Sequence, residues 1–493
     1  MYFILYIIYY IFLLLNLLVN LKDTYNYLSN IYLSNIYLNN IYLSNMKITS
    51  KLATLSDTKK LIENDSDYCP IITETDKECK FNYYSNILLN CNDFILGDLQ
   101  DNFCGRVLSS LSEYKSSDIR IDCILYLCGD IEDLINHVIS HEIYVVKEYS
   151  TNYDTESFDY KVISIGEVPI NVYNCGVYFR QFFDSKDDYF DKFNSEHKTQ
   201  DLSESNKKGV SYRKGIYLTH VAKYSDKTKF KLLRCSTNLK GPTENFRDND
   251  NKIINKVNKV RKFFFEDSAE LNHVLGQVYE NKVESDNKQK KAKIKKHSDK
   301  TKDMPRNGLM AFCTFYKDFT GIGKNGWNTQ IKHLKHSKTD IYDYTYKNQS
   351  VLTKLHFELK KCVKDPEKKY TKQFDITLYP NSVFMMSLEI NRLYTHEIVP
   401  STLPVEYLPT RLGYVIRCSN TDAVFKDGRT YIVNYNERGV QRKLVPLEQP
   451  TEENITELRE LYYKENFTTE KVSYVGIYYS MNSGDYLEPT YYI

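Results

Sequence analysis

The sequence carries almost no net charge. Its 66 lysines and arginines against 64 aspartates and glutamates give +2 over 493 residues. A molecule that attracts polyanions over its whole surface needs a large positive charge, so any attraction to nucleic acid must come from a local cluster. Glycine (18) and proline (12) are also scarce, whereas tyrosine is abundant (44). This bias is typical of an AT-rich genome and indicates ancestry rather than chemistry.

The 11 cysteines lack the spacing of a zinc site. No Cys-x2-Cys pair occurs, and the closest two, Cys123 and Cys128, are not followed by a second pair. Their odd number argues against a complete disulfide framework. We therefore predict reduced and mostly buried thiols in an intracellular protein.

The first residues lack the marks of a secretory signal. Residues 2–20 are almost wholly apolar and about long enough to cross a bilayer, but they have no basic start and no small-residue cleavage site. A five-residue repeat follows from Tyr27 to Asn45, and its period fits neither an amphipathic helix nor a strand. Met46 comes next. Two interpretations stay open: a membrane anchor, or a translated extension in front of the true start.

The composition and the hydropathy pattern divide the chain into four parts. We predict an apolar and low-complexity segment at 1–45 and a small α/β region at 46–160. A mainly β domain with flanking helices is predicted at 161–435, and an extension at 436–493. The third part holds many short β-rich runs, a pattern typical of a sandwich or a barrel. One helix is expected at 253–265. A second is expected at 452–464, with Thr451 as its N-cap.

A strand with two arginines is the strongest local pattern. In Arg411–Arg417, period-two alternation places both arginines, Gly413 and Val415 on one face and the large apolar side chains on the other. The apolar face is expected to pack against a flanking layer. The other face offers two guanidinium groups separated by small side chains, and such forks bind carboxylates bidentately.

Two histidines and an aspartate precede this strand. His297 and Asp299 are spaced to point the same way on an extended segment, so both can reach one metal. His396 ends or lies on a strand that we expect beside the Arg411 strand. Residues 374–378 and 383–389 are predicted to form the hairpin that leads to it. Two imidazoles and one carboxylate are the ligands of a facial non-heme iron site.

The order His-x-Asp, distal His and Arg-x5-Arg resembles the Fe(II)/2-oxoglutarate-dependent dioxygenase superfamily, and most of all its AlkB-like branch, in a viral or protist subgroup. The resemblance implies a double-stranded β-helix (jelly-roll) core at about 165–435. It also implies that His297, Asp299 and His396 bind Fe(II), and that Arg411 holds the distal carboxylate of 2-oxoglutarate. A viral source would place the protein in the virion or the host cytoplasm.

The resemblance gives roles to three more residues. Arg417 would neutralise the region of the near carboxylate and Asp299. Tyr279 matches the co-substrate-binding tyrosine of the family, and Gln277 stands where an asparagine is usual. The interval between Asp299 and His396 is longer than in compact members, and we assign the excess to a loop around 317–350.

A lysine cluster lies immediately before the metal residues, running from Lys288 to Lys296. A basic rim beside a catalytic pocket suits a polyanion, which favours oxidative demethylation or hydroxylation of nucleic acid. A solvated loop is an equally good interpretation of such a charge run. Two other functions stay open: a protein or peptide hydroxylase with the same iron chemistry, and a catalytically inactive, membrane-tethered binding protein.

Overall fold

The computed structural model describes residues 78–91, 98–117, 123–139, 142–203, 210–234, 239–317, 343–344, 349–435 and 441–492. These residues belong to one compact unit, Ile71–Ile493. The apolar residues 2–20, the repeat and most of the expected 317–350 loop lie outside the described residues. Within these ranges, no helix combines the length and the apolar character that crossing a membrane requires. The nine cysteines described here are free thiols, and seven of them are buried, as predicted.

A parallel sheet occupies the first part of the described chain. Its five strands lie in the order Arg106–Leu108, Asn86–Asn90, Ile124–Asp130, Glu142–Thr151 and Lys161–Ile163, and every neighbouring pair is parallel. Apolar side chains alternate between its two faces, Ile87 and Leu125 on one and Leu88 and Tyr126 on the other, so that each face buries its own core. The elements up to this point are β1 (Lys80–Phe81), β2 (Asn86–Asn90), α1 (Asp98–Asn102), β3 (Arg106–Leu108), α2 (Leu111–Ser116), β4 (Ile124–Asp130), α3 (Ile131–Leu134), β5 (Glu142–Thr151) and β6 (Lys161–Ile163).

The middle of the chain is mainly β with two helices. Its elements are β7 (Ile170–Asn171), β8 (Val177–Phe179), α4 (Tyr189–Glu196), β9 (Gln200–Ser203), β10 (Val210–Thr219), β11 (Val221–Lys223), β12 (Thr228–Leu232), β13 (Glu244–Asn245), α5 (Asp248–Arg261), β14 (Phe265–Glu266), β15 (His273–Tyr279), β16 (Lys282–Val283), β17 (Gln289–Lys290), β18 (Ile294–His297) and β19 (Leu309–Tyr316).

The last part adds strands to the same sheets and contains a long helix. Its elements are β20 (Asp343–Tyr344), β21 (Gln349–Ser350), β22 (Lys354–Leu359), β23 (Gln373–Thr377), β24 (Ser382–Ser387), α6 (Leu388–Leu393), β25 (Tyr394–Val399), β26 (Arg411–Arg417), β27 (Thr421–Lys426), β28 (Arg429–Tyr435), β29 (Gln441–Pro446) and α7 (Glu452–Phe467). Thr451 is the N-cap of α7, as the sequence predicts, and its hydroxyl accepts a hydrogen bond from the Asn454 backbone N–H at 3.2 Å.

Two sheets face each other around the residues that the sequence analysis assigned to the metal. The large sheet has the order β13-β10-β15-β26-β19-β24-β8-β7, with β9 paired to β10, and the small sheet has the order β18-β25-β22-β23. Met310, Phe312 and Phe384 of the large sheet share one apolar cluster with Phe357 and Phe374 of the small sheet. The mainly β class with several sheets is therefore as predicted. A further sheet, β11-β12-β27-β28-β29, includes a strand from the segment after residue 435.

The opposite face of the large sheet packs on helices. Leu412, Tyr414 and Ile416 lie in one buried cluster with Phe193 of α4 and Val257 of α5. This is the flanking layer expected from the alternation in β26. Because both faces of the central strands are covered, β19 is completely buried and is apolar at every position except Thr314.

Two predicted strand pairings are wrong. The runs around 374–378 and 383–389 do not form a hairpin, because β23 pairs with β22 whereas β24 pairs with β19 and β8. Likewise β25, which carries His396, pairs with β18 and β22 and not with the Arg411 strand. The chain crosses from one sheet to the other at each connection, which local sequence patterns do not record.

Candidate metal centre

Three side chains converge between the two sheets. His297 and His396 are directly opposite each other in neighbouring strands of the small sheet, and their ring centroids are 4.5 Å apart. Asp299 follows two residues after His297, and its Oδ1 lies 3.3 Å from His297 Nε2 and 3.8 Å from His396 Nε2. Their ligand atoms all lie within 4.8 Å of one another, so the three residues could hold a metal ion. The pairing register shifts between Ile294 and His297, an irregularity of the kind that redirects a side chain.

The orientation of His297 and the neutral ring of His396 suit metal binding. His297 Nδ1 donates to the Lys295 carbonyl oxygen at 2.8 Å, which leaves Nε2 to face Asp299. Burial lowers the pKa of His396 to about 3, and His297 nearby adds to this effect, so the ring is neutral near pH 7. A divalent cation between the three groups would be bound by both Nε2 atoms and by the carboxylate.

Asp299 is held as an anion by Arg417. The Nε and Nη2 of Arg417 donate to Asp299 Oδ2 at 2.9 and 2.5 Å. Burial alone would raise the pKa of Asp299, but the Arg417 guanidinium outweighs it, with the two histidines adding to the effect, and the pKa lies well below its usual range. This fork of Arg417 is therefore engaged with the carboxylate.

Arg411 sits further along the same face of β26. It is 4% exposed, and its Nε and Nη2 have no hydrogen-bond partner among the described residues. Its guanidinium carbon lies 3.9 Å from the ring centroid of Tyr279, whose hydroxyl donates to Gln277 Oε1 at 2.9 Å. Tyr279 and Gln277 are opposite Arg411 and Gly413 in the pairing of β15 with β26, which places all four on the inner face. A buried guanidinium edge without a partner favours an anionic ligand.

A cavity of about 430 Å³ joins these groups. Every residue that the sequence analysis assigned to iron or to 2-oxoglutarate lines it: His297, Asp299, His396, Arg411, Arg417, Tyr279 and Gln277. Apolar side chains, among them Phe312, Leu355 and Val415, complete the wall. Asp299 and His396 are buried in this wall, and burial strengthens the charge interactions between them.

The predicted lysine cluster is only partly available to a ligand. Lys290 forms an ion pair with Glu284 at 3.6 Å, Lys296 pairs with Glu358, and Lys291 donates to two backbone carbonyls at 2.8 and 2.5 Å. Lys293 and Lys295 are exposed and line the cavity. The basic rim is therefore narrower than the sequence suggests.

Two asparagines that the sequence analysis did not assign support the metal residues. The side-chain amide of Asn391 accepts from the Asp299 backbone N–H and donates to the Asp299 carbonyl oxygen, both at 2.9 Å. Asn466, at the end of α7, accepts from the Ser298 N–H at 2.8 Å and lines the cavity. Both lie far from residues 297–299 in sequence, and no local motif marks them.

A second group that could hold a metal consists of Glu196, His197 and Asp250, on the helical side of the large sheet. Here the ring nitrogens of His197 already contact Glu244 at 3.1 Å and Asp250 at 2.9 Å. The Tyr414 hydroxyl donates to the other oxygen of Asp250 at 2.7 Å. Because these polar atoms satisfy one another, this group holds α4 and α5 against the sheet without needing an ion.

No protein-family model matches the chain, and no curated protein matches it either.

Proposed function

We propose that the chain is an Fe(II)- and 2-oxoglutarate-dependent dioxygenase. The observation that carries this proposal is the convergence of His297, Asp299 and His396 beside the buried, open edge of Arg411. Two imidazoles and one carboxylate fit iron(II) and leave room for a chelating co-substrate. When bound, iron and 2-oxoglutarate supply the oxygen activation that hydroxylates an unreactive C–H bond.

The residues of the chain have separable roles in this proposal. His396, kept neutral by burial, and His297, oriented by the Lys295 carbonyl, offer their Nε2 atoms to the metal. Arg417 keeps the Asp299 carboxylate ionised and fixes its orientation. Arg411, stacked on Tyr279, binds the distal carboxylate of the co-substrate through its Nε and Nη2 edge.

We further propose that the two facing sheets form a double-stranded β-helix core. The pairings of β10, β15, β26, β19 and β24 in the large sheet and of β18, β25, β22 and β23 in the small sheet are antiparallel. A shared apolar cluster between the sheets supports this arrangement. In such a core the small sheet supplies the two histidines and the large sheet supplies both arginines.

The prime substrate proposed is a nucleic acid that undergoes oxidative demethylation or hydroxylation. The supporting observation is the sign of the charge around the cavity, where Lys293, Lys295, Arg213 and Arg411 join the wall and Asp299 is its single acidic member among the described residues. Phosphate contacts at this rim would position a base over the metal residues. A peptide substrate, hydroxylated by the same iron chemistry, is the alternative outcome of the binding test.

Anaerobic titration of the full chain with Fe(II) and 2-oxoglutarate tests the proposal. We expect a visible charge-transfer band for the parent and for the control variant His356→Ala. His356 lies outside the cavity, where its Nδ1 is hydrogen-bonded to Asp375 Oδ1 at 2.6 Å. His396→Ala should lose both the band and succinate release, because it removes a metal ligand. A parent protein that binds neither iron nor 2-oxoglutarate would rule out the dioxygenase and favour an inactive binding protein.

A further inference from the structure

The segment that carries the metal residues is held by the C-terminal helix. The Ser298 N–H donates to Asn466 Oδ1 at 2.8 Å, and the Thr301 N–H donates to Glu465 Oε1 at 3.2 Å. Between them, the buried ammonium group of Lys300 donates to a backbone carbonyl of α7 at 3.0 Å. Three of four consecutive residues, 298–301, are thus anchored to one helix that begins more than 150 residues later in the chain.

The remaining residue of this segment is Asp299, whose backbone is held at both polar groups by Asn391 at 2.9 Å. The segment therefore keeps its conformation through side chains of α6 and α7 rather than through a regular ladder, since β18 ends at His297. An irregular backbone beside a metal needs such fixed partners, because its own torsions are otherwise free.

Asn466 occupies the decisive position among these anchors. Asn466 accepts from the N–H of the peptide between His297 and Ser298. The hydrogen bond therefore fixes the first of the two peptide planes that link His297 to Asp299. Asn466 also lines the cavity, whereas Glu465 is buried away from it. The bond to Ser298 is the only hydrogen bond that the Asn466 side chain makes among the described residues, so truncating the side chain removes this hydrogen bond and no other.

We infer that Asn466 is a positioning residue of the metal centre, which makes the last turn of α7 a part of the site. This inference rests on the metal site proposed above. Asn466 does not bind the metal itself. It sets the angle between His297 and Asp299, so that both reach one ion at the same time.

Titration of the metal-free full chain with Co(II), followed by visible absorption, tests this inference. For Asn466→Ala we expect about 10- to 100-fold weaker Co(II) binding, the range typical of lost partners behind metal ligands. The shape of the Co(II) absorption band should change as well, because the ligand angles change. Glu460→Ala is the matched control, since Glu460 is an exposed residue of the same helix and should leave both readouts unchanged.

A conservative variant separates positioning from general stability. Asn466→Asp keeps an acceptor oxygen for the Ser298 N–H, so it should bind Co(II) at least as tightly as the parent. Asn466→Leu keeps the volume without the acceptor and should behave like Asn466→Ala, which provides the same test if the alanine variant unfolds. The thermal melting of each metal-free variant is measured alongside.

The outcomes distinguish this inference from the proposed function. If the parent binds no Co(II), the metal site itself is wrong and the role of Asn466 falls with it. If the parent binds and Asn466→Ala binds equally well with the same spectrum, only the role of Asn466 is wrong. Equal loss of affinity in Asn466→Asp and Asn466→Ala would also contradict the inference, because the accepted hydrogen bond would then be irrelevant.

Discussion

Arg411 and Arg417 show how one strand gives two identical side chains different roles. They lie on the same face of β26, six residues apart, and both are buried. Arg417 donates two hydrogen bonds to Asp299, whereas the Nε and Nη2 of Arg411 have no partner among the residues described. Leaving a buried guanidinium edge unbonded is costly, which is the physical reason to expect an anion beside Arg411.

Removing the Arg411 guanidinium should separate co-substrate binding from metal binding. We expect Arg411→Ala to weaken 2-oxoglutarate binding by ~2 kcal/mol or more, the effect of truncating one partner of a buried charge pair. Metal affinity should change little, because Arg411 does not contact the ligand triad. Calorimetric titrations with Mn(II) and then with 2-oxoglutarate measure both, with the exposed Arg180→Ala as control. Unchanged affinity for 2-oxoglutarate would remove Arg411 from this role.

Gly413 makes room for the Arg411–Tyr279 stack. A β-carbon at position 413 would lie 3.0 Å from Arg411 Nη1 and 3.2 Å from Tyr279 Cε2. Gly413→Val should therefore displace the stack and weaken 2-oxoglutarate binding, and overpacking of this kind also lowers the free energy of unfolding by about 1–3 kcal/mol. Mn(II) affinity, measured in the same titration, should stay near that of the parent. If 2-oxoglutarate binds normally, the space beside Gly413 is not part of its site.

At the scale of elements, a buried charged network fastens α4 and α5 to the large sheet. His197, at the end of α4, contacts Asp250 of α5 and Glu244 of β13, and Asp250 in turn accepts from Tyr414 of β26. Burial would lower the pKa of His197, but the hydrogen bonds to Asp250 and Glu244 outweigh it and raise the pKa to about 9. Protonated His197 thus links three elements behind the candidate site.

This network predicts a stability that falls in mild alkali. Because the folded pKa of His197 lies above the ordinary value of 6.5, its contribution is complete below about pH 6.5 and is lost as the pH rises through about 9. The loss amounts to at most ~3 kcal/mol, from 1.36 kcal/mol per unit of pKa. Chemical denaturation across this window measures it.

Two variants check the origin of the pH effect. His197→Gln should be less stable at every pH and should show a flatter dependence between pH 6.5 and 9. The exposed histidine variant His220→Gln should follow the parent. A parent protein whose stability is flat across the window would show that His197 is not charged in the folded state.

At the scale of the whole molecule, the net charge of +2 is too small to attract a polyanion. We therefore expect any such attraction to come from the lysines at the rim of the cavity. Lys293 and Lys295 are exposed there, whereas Lys282 and Lys290 form ion pairs with Glu280 at 2.6 Å and Glu284 at 3.6 Å. Lysines that are already paired release few counterions when a nucleic acid binds. The two exposed lysines at the rim and the two paired lysines, Lys282 and Lys290, therefore make a matched set of test sites.

Changing the two rim lysines should flatten the salt dependence of nucleic-acid binding. We expect the Lys293→Gln and Lys295→Gln double variant to reduce the slope of log affinity against log salt by about 1 to 2, and to weaken binding to all sequences alike. The Lys282→Gln and Lys290→Gln double variant should leave the slope nearly unchanged. Fluorescence anisotropy with a labelled single-stranded oligonucleotide measures both. Identical slopes for all three proteins would favour a peptide substrate.

Several elements were predictable because their signals are local. The alternation in β26 assigned Arg411, Gly413 and Arg417 to one face, and the structure has them lining one cavity. Thr451 marked the start of α7, because an N-cap acts through its nearest neighbours. The helix expected at 253–265 begins earlier, at Asp248 of α5, because the Asp250 carboxylate caps that end by accepting from the Arg247 backbone N–H at 2.8 Å. The apolar pattern does not extend to these residues.

The sequence by itself determined which residues can act as ligands and which side chains share a face, because the period of a strand depends only on the backbone. Tertiary structure alone decided the rest. It put β25 in a different sheet from the Arg411 strand, and it brought Asn466 to the peptide between His297 and Ser298. Contacts between residues far apart in the chain follow from how sheets and helices bury their apolar faces, and this packing leaves no local mark on a single sequence.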